Sequence, residues 1–407
     1  PPLTTTTNYW VRVSNGFGMA DSNTATITIG VPPSITTQPS SQSIASGSTA
    51  TMSVVASGTP TLTYQWYVGV SGNTASPIGG ATSTSYTTPP LTTTTSYWVR
   101  VSNSFGTADS NTATITVLLN KSGDFDGDGK DDPTIYRPST GLWAILKSST
   151  GYATSSAVSW GLSTDLPRAG DYDGDGKIDP AIYRPSTGLW AILKSSTGYT
   201  TSMTVSWGLS TDLPMVGDFD GDGKADPAIY RPSTGLWAIL QSSTGYTTSM
   251  TVSWGLSTDL PVPGDYDGDG KSDPAIFRPS TGLWAILKSS TSYTTSMTAS
   301  WGLSTDVAVP GDYDGDGKID PAVYRPSTGF WHILQSSTGY STSVSVSWGL
   351  STDNPVPADF DGDGKTDPAI FRPSTGLWAM LKSSTGYSSA TYVSWGLSTD
   401  VPIYRRP

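Results

Sequence analysis

Asp171-Tyr-Asp-Gly-Asp-Gly-Lys-Ile-Asp179-Pro-Ala-Ile-Tyr-Arg184-Pro-Ser-Thr-Gly188-Leu-Trp-Ala-Ile-Leu-Lys194 is the stretch on which the reading of this 407-residue chain turns. Near-copies begin at Asp124, Asp171, Asp218, Asp265, Asp312 and Asp359, so a 47-residue unit runs six times without one insertion. Self-similarity at a fixed period is the mark of a repeat architecture. Each unit opens with an Asp-rich loop, and β-forming residues then run to Arg184. A Ser-Thr-Gly turn, the run Leu189–Lys194 and a second turn at Ser195–Gly198 follow. A last run from Tyr199 to Trp207 ends in Gly-Leu-Ser-Thr-Asp-Leu-Pro.

This pattern predicts four short strands per unit: one entering the Asp loop, one leaving it, and two more joined by Gly-containing turns. Four strands in about 45 residues is the arithmetic of a propeller blade. Residues 119–407 are therefore expected to form a six-bladed β-propeller. The C-terminal Val401-Pro-Ile-Tyr-Arg-Arg-Pro is expected to lie beside the first blade and close the ring.

A second period lies upstream. Residues 1–29 recur at 89–117 with 25 of 29 positions identical, the changes being Asn8/Ser96, Gly16/Ser104, Met19/Thr107 and Ile29/Val117. Period-2 alternation or β-branched enrichment at Thr51–Ala56, Thr63–Tyr67, Tyr97–Val101 and Ala113–Val117 predicts strands between Gly, Pro and Ser-rich turns. These residues resemble an immunoglobulin-like domain of the kind found in tandem on bacterial surface proteins. The resemblance assigns Trp66 to the buried strand-C tryptophan and Tyr97 to the corner tyrosine. Val54 and Val99 stand where antibody domains carry paired Cys, so apolar packing replaces the bridge. Residues 32–118 are expected to form one complete domain and 1–31 the last strands of another. The class is all-β throughout.

Composition narrows the chemistry. The chain has no Cys, one His (His332) and no Glu, and its 33 acidic residues are all Asp. With 22 Lys plus Arg, the formal charge is 22 − 33 = −11. That acidity lacks the footprint of a nucleic-acid binder, and no apolar run has the length of a membrane span. Without Cys there is no disulfide scaffold, thiolate metal site or cysteine nucleophile. The general-base pool shrinks to Asp, Lys and Tyr. The chain shows no nucleophile–base pair and no phosphate loop, so a non-enzymatic protein is expected.

The Asp loops carry the strongest chemical signal. In D-x-D-G-D-G-K-x-D, oxygens at positions 1, 3, 5, 7 (a backbone carbonyl) and 9 can wrap one hard cation, and the glycines permit a loop tight enough to converge the carboxylates. The expected ligands are Asp124, Asp126, Asp128, Lys130 and Asp132 in the first loop, and Asp171, Asp173, Asp175, Lys177 and Asp179 in the second. The third and fourth sets are Asp218, Asp220, Asp222, Lys224 and Asp226, then Asp265, Asp267, Asp269, Lys271 and Asp273. The fifth and sixth are Asp312, Asp314, Asp316, Lys318 and Asp320, then Asp359, Asp361, Asp363, Lys365 and Asp367. An EF-hand shares this opening but needs a bidentate Glu at position 12 and flanking helices. Here position 12 is Ile135 or its equivalent, followed by a strand.

With that motif six times in register, the repeat resembles the FG-GAP/VCBS-type calcium-binding blade of integrin α-subunit propellers and many secreted bacterial proteins. The resemblance implies about six Ca²⁺ per chain, mainly structural, and an extracellular or cell-surface setting. Six Ca²⁺ would bring the formal charge from −11 to about +1.

Two tryptophans per unit, Trp190 and Trp207 in the second, are read as packing between blades, with sugar stacking as the alternative. Arg137, Arg184, Arg231, Arg278, Arg325 and Arg372 are expected to pair with the Asp of Ser-Thr-Asp (Asp165, Asp212, Asp259, Asp306, Asp353). The Thr runs Thr4–Thr7 and Thr92–Thr95 read as β-formers on a solvated face, and Asn120-Lys-Ser is the one N-glycosylation sequon. The functional expectation is a calcium-stabilised extracellular adhesion or structural module, part of a surface appendage or fibre. A multivalent carbohydrate-binding propeller lectin and an accessory domain of a secreted enzyme are the alternatives. Expected partners are the protein itself, through strand complementation at 1–31, and surface glycans or proteins.

Overall fold

The structure, a computed structural model, describes residues 2–45, 49–89, 91, 95–118 and 123–404. The sequon at 120–122, Thr92–Thr94 and the last three residues lie outside them. The described chain is all-β, broken only by single 3₁₀ turns, and divides into two compact units. The first comprises Pro1–Ile44 with Thr49–Val117, and the second contains Leu118–Pro407. No described helix is long and apolar enough to cross a membrane.

In the first unit, the long strand Thr95–Asn103 pairs antiparallel with Gly106–Asp109, Ala113–Leu118 and Thr63–Val68. Alternate side chains of these strands, among them Trp66, Tyr97, Val99 and Ile115, meet Met52 and Val54 in one core. Val54 and Val99 are both buried apolar neighbours in that core. Trp66 donates its indole N–H to the Ser83 carbonyl at 2.9 Å, as a buried polar tip must. The near-copy at 1–29 forms separate ribbons, Thr7–Tyr9 with Ala25–Ile27 and Arg12–Asn15 with Gly18–Asp21.

The second unit consists of six four-stranded antiparallel sheets. In the second sheet the order is Leu166–Pro167, Ala181–Arg184, Leu189–Leu193, Ser202–Ser206. Its first strand thus comes from the tail of the preceding 47-residue unit, the strand that enters the Asp loop. The first sheet has no preceding unit to borrow from, and Val401–Ile403 from the C-terminal segment pairs with Thr134–Tyr136 in that place. Sheet and sequence repeat are out of phase by one strand.

The third strand, Leu-Trp-Ala-Ile-Leu, is buried on both faces, and this explains why it reads as a continuous apolar run. Trp190 and Ile192 pack with Ala225, Ile229 and Ala238 of the following unit. Ala191 packs instead with Trp143 and Ile145 of the preceding one. Ile135 and Ala144 of the first unit join Trp378 and Met380 of the sixth in a single cluster.

In each of the six sheets the Arg that ends the second strand pairs with the Asp just before the first. Arg184 Nε and Nη2 meet the two carboxylate oxygens of Asp165 at 2.8 Å, and the other sheets repeat this. In the first sheet the partner of Arg137 is Asp400, at 2.7 and 2.8 Å. The Asp side chains are fully buried while each Arg keeps roughly a quarter of its surface. A bidentate guanidinium offsets the cost of burying the carboxylate.

Candidate metal centres

Each Asp loop leads into the second strand of its sheet and is shaped by its own carboxylates. In the first loop, Asp124 accepts the N–H of Gly127 on one oxygen (2.7 Å) and that of Gly129 on the other (2.9 Å). Those glycines have φ of +83° and +95°, the left-handed region that L side chains avoid. Asp132 accepts the N–H groups of Phe125 and Asp126 on Oδ2 and that of Ser148 on Oδ1. Asp128 accepts from the Lys130 N–H and the Ser148 hydroxyl, and Asp126 Oδ2 from the Ser149 hydroxyl at 2.6 Å. Equivalent bonds recur in the other loops, for example around Asp171, Asp218, Asp312 and Asp359.

These bonds organise the loop, but they leave one buried oxygen over. Oδ1 of Asp126, Asp173 and Asp267 is buried and has no hydrogen-bond partner. In the other three loops the same atom, on Asp220, Asp314 and Asp361, takes only a 3.3 Å contact from the N–H two residues on. A buried carboxylate oxygen without a donor is costly and calls for an explanation. Turn-capping accounts for positions 1 and 9, but not for position 3.

Convergence supplies the explanation. One oxygen each from Asp124, Asp126 and Asp132 lies within 4.8 Å of the others, as do those of Asp171, Asp173 and Asp179, and of Asp218, Asp220 and Asp226. In the fourth and fifth loops the converging sets are Asp265, Asp267 and Asp269, and Asp312, Asp314 and Asp316. Positions 1, 3, 5 and 9 all appear in these sets. The donor set is all carboxylate, which suits a hard divalent cation.

The electrostatics point the same way. Burial is the main cause, and neighbouring carboxylates add to it, of the rise of Asp132, Asp179, Asp226 and Asp367 to about 7. Asp273 and Asp320 rise to about 6. At position 1, Asp218, Asp265 and Asp312 rise to about 7 and Asp171 to about 6. Desolvated like charges hold protons when no cation compensates them.

Two groups of residues at these centres gave no signal in the sequence. Ser148 and Ser149 lie in the second turn, 20 and 23 residues from the Asp side chains they orient. Tyr152 and its equivalents follow that turn with φ near +65° and reach toward the neighbouring loop. Ser-Ser-Thr-Gly-Tyr reads locally as a turn, and nothing in it announces a distant loop.

The tryptophans of the third strands are fully buried, with Trp190 donating to the Trp207 carbonyl. Trp207 in turn donates to the Ala238 carbonyl of the next sheet at 3.0 Å. Both sets therefore serve packing. At one groove, between Ser343–Ser347 and Ala390–Ser394, Tyr392 stands exposed with its ring 5.9 Å from that of Trp348. His332 hydrogen-bonds Ser345 and stacks on Phe330, away from the loops.

A family profile described as "Domain of unknown function (DUF8696)" matches residues 35–119. No curated protein matches the chain. Among solved structures, a DUF4784 family protein from Bacteroides caccae is similar at 10% identity and a TM-score of 0.38, covering 89% of this chain and 95% of that one. The rhamnogalacturonan lyase PL11 of Bacillus licheniformis is similar at 13% identity and 0.32, covering 91% and 77%. Extracellular domains 3–5 of Drosophila OTK match 28% of this chain at 19% identity and 0.23. The match spans 40% of that OTK fragment.

Proposed function

We propose that this protein is a non-enzymatic, calcium-stabilised extracellular module with an adhesive or structural role. In this reading the six sheets are the blades of an FG-GAP/VCBS-type β-propeller, preceded by immunoglobulin-like domains. Each Asp loop holds one Ca²⁺ through the side chains at positions 1, 3, 5 and 9 and the Lys carbonyl at position 7. The bound ion supplies charge neutralisation and cross-links the two ends of the loop. The observation that carries the reading is the buried, partnerless Oδ1 of Asp126, Asp173 and Asp267, inside clusters of converging carboxylates.

Support for blades comes from neighbour packing that runs through all six sheets and from the Val401–Ile403 strand that completes the first. Support for a stabilising role comes from scale. With affinities of roughly 0.1–1 mM and about 1 mM free Ca²⁺, each site contributes about 0.4–1.4 kcal/mol. Six such sites contribute on the order of 2–8 kcal/mol, comparable with the whole stability of a domain.

The test is a metal count on the purified full chain by elemental analysis, with thermal unfolding in Ca²⁺ and in EGTA. The expected result is about six Ca²⁺ per chain and a melting temperature that falls by 10 °C or more on chelation. A chain that binds no calcium and melts identically in both buffers would overturn the proposal.

A further inference from the structure

The six Asp loops are joined to one another in a single direction. The N–H of position 8 in each loop donates to the carbonyl of position 1 in the loop before it. Ile178 donates to Asp124 at 3.0 Å, Ala225 to Asp171 at 2.6 Å, and Ser272 to Asp218 at 2.6 Å. Ile319 donates to Asp265 at 2.7 Å, Thr366 to Asp312 at 2.6 Å, and Asp131 to Asp359 at 2.8 Å. The last bond returns from the sixth loop to the first, so the series has no end.

The peptide that makes this bond is also the one proposed to touch the cation. The carbonyl of Lys224 and the N–H of Ala225 belong to one rigid amide plane. A cation on that oxygen fixes the plane and polarises the N–H, strengthening its bond to Asp171 in the preceding loop.

Two further links run the same way. Lys177 lies over Gly127 of the preceding loop, so close that a Cβ there would meet its Cε at 2.7 Å. Lys224 over Gly174, Lys271 over Gly221 and Lys318 over Gly268 repeat this. The tyrosine of the second turn forms the third link. Tyr246 donates its hydroxyl to the Tyr172 carbonyl, at position 2 of the preceding loop, at 2.9 Å. Tyr152, Tyr293 and Tyr340 do the same toward Phe360, Phe219 and Tyr266 at 3.3–3.4 Å. Each holds a left-handed backbone that a non-glycine residue adopts only at a cost, and such outliers concentrate where function needs them.

We infer that the six loops take up calcium cooperatively, an ion in one loop ordering the loop before it through the shared peptide, the Lys side chain and the Tyr hydroxyl. This rests on the calcium reading above. The charges permit it: four Asp, one Lys and one Ca²⁺ leave a loop such as 171–179 at −1, so filled neighbours do not repel as bare cations would. Positive coupling makes the last ion bind more tightly than the first, by about fivefold or more at the usual scale of site-to-site coupling.

The experiment is calcium titration of the metal-stripped full chain by calorimetry, giving stoichiometry and Hill coefficient together. The wild type is expected to bind about six ions with a Hill coefficient clearly above 1. A variant carrying Tyr152→Phe, Tyr246→Phe, Tyr293→Phe and Tyr340→Phe is expected to bind the same number with a coefficient closer to 1. Ala225→Pro, which removes one linking N–H and keeps the Lys224 carbonyl, is expected to lower it as well. Six ions bound with a coefficient of 1 in the wild type would overturn the inference and leave the calcium reading standing. An unchanged coefficient in the tyrosine variant would also overturn it. Absence of any uptake would overturn the calcium reading itself, and with it the inference.

Discussion

At the scale of single residues, the unusual feature is a set of carboxylates that favour protons near neutrality. The ordinary value for Asp179 is 3.8, and in the folded, metal-free loop it stands at about 7 because it is buried among other acids. Between those values the folded chain binds more protons than the unfolded chain, so stability falls as pH rises. This is the reverse of a salt-bridged Asp, whose lowered value makes stability rise with pH. Calcium, bound as proposed, would displace the same protons and remove the trend. In metal-free buffer the melting temperature is therefore expected to drop between pH 5 and pH 7, and in saturating calcium, where the carboxylates carry no proton in either state, to stay level. Parallel pH profiles with and without calcium would contradict this account. Part of the basis was legible in the sequence, since the Asp spacing names the converging residues. The depth of burial was not, because it depends on serines 16 to 23 residues away and on neighbouring loops.

At the scale of elements, two turns of the same local sequence behave differently. Every repeat but the fourth contains Ser-Thr-Gly twice, at Gly188 and Gly198 in the second, and both of these glycines have φ near +65°. A Cβ at Gly198 would meet nothing within 4 Å, whereas at Gly188 it would strike the backbone carbonyl of Gly208. The fourth repeat already carries Ser292 at the open position, with φ +53°. Gly198→Ser is thus expected to cost about 1 kcal/mol, the backbone penalty alone. Gly188→Ser is expected to cost about 3 kcal/mol or more, since a rigid backbone atom must also move. Urea unfolding of the two variants in calcium checks the order, and equal costs would show that the close approach is readily relieved. The sequence marks both as turns, but the difference belongs to the strand that passes beside one of them.

At the scale of the whole molecule, the six-sheet unit is completed by its own last residues. Val401–Ile403 supplies the fourth strand of the first sheet, Ile403 packs beneath Tyr136 and Trp143, and Asp400 takes the Arg137 guanidinium 263 residues away. The Asp131–Asp359 hydrogen bond and the Trp395 indole on the Ala144 carbonyl span the same junction. Ile403→Ala is expected to cost about 2–4 kcal/mol by removing buried methyl groups. Ending the chain after Thr399 removes the strand and the ion pair together, and is expected to lower the melting temperature further and broaden the transition. A truncated chain melting as sharply and as high as the full one would mean that the junction carries no load.

The sequence by itself determined that this chain is all-β, that one 47-residue unit recurs six times, and which residues in each unit can meet around a cation. Those are consequences of local rules: alternation for strands, glycine at left-handed positions for tight loops, and carboxylate spacing for convergence. What faces solvent was decided only by tertiary structure. Residues 1–29 and 89–117 are nearly the same sequence, yet Trp10 is 54% exposed and Trp98 0%, Val13 66% and Val101 0%. In the second copy the strand Thr63–Val68 pairs alongside and covers these residues. The described residues offer the first copy no such strand. A strand forms from its own residues, but its burial belongs to whatever packs on it, and that partner is remote in sequence. For the same reason Arg137 announces a charge to be paired, and only the fold brings Asp400 to it.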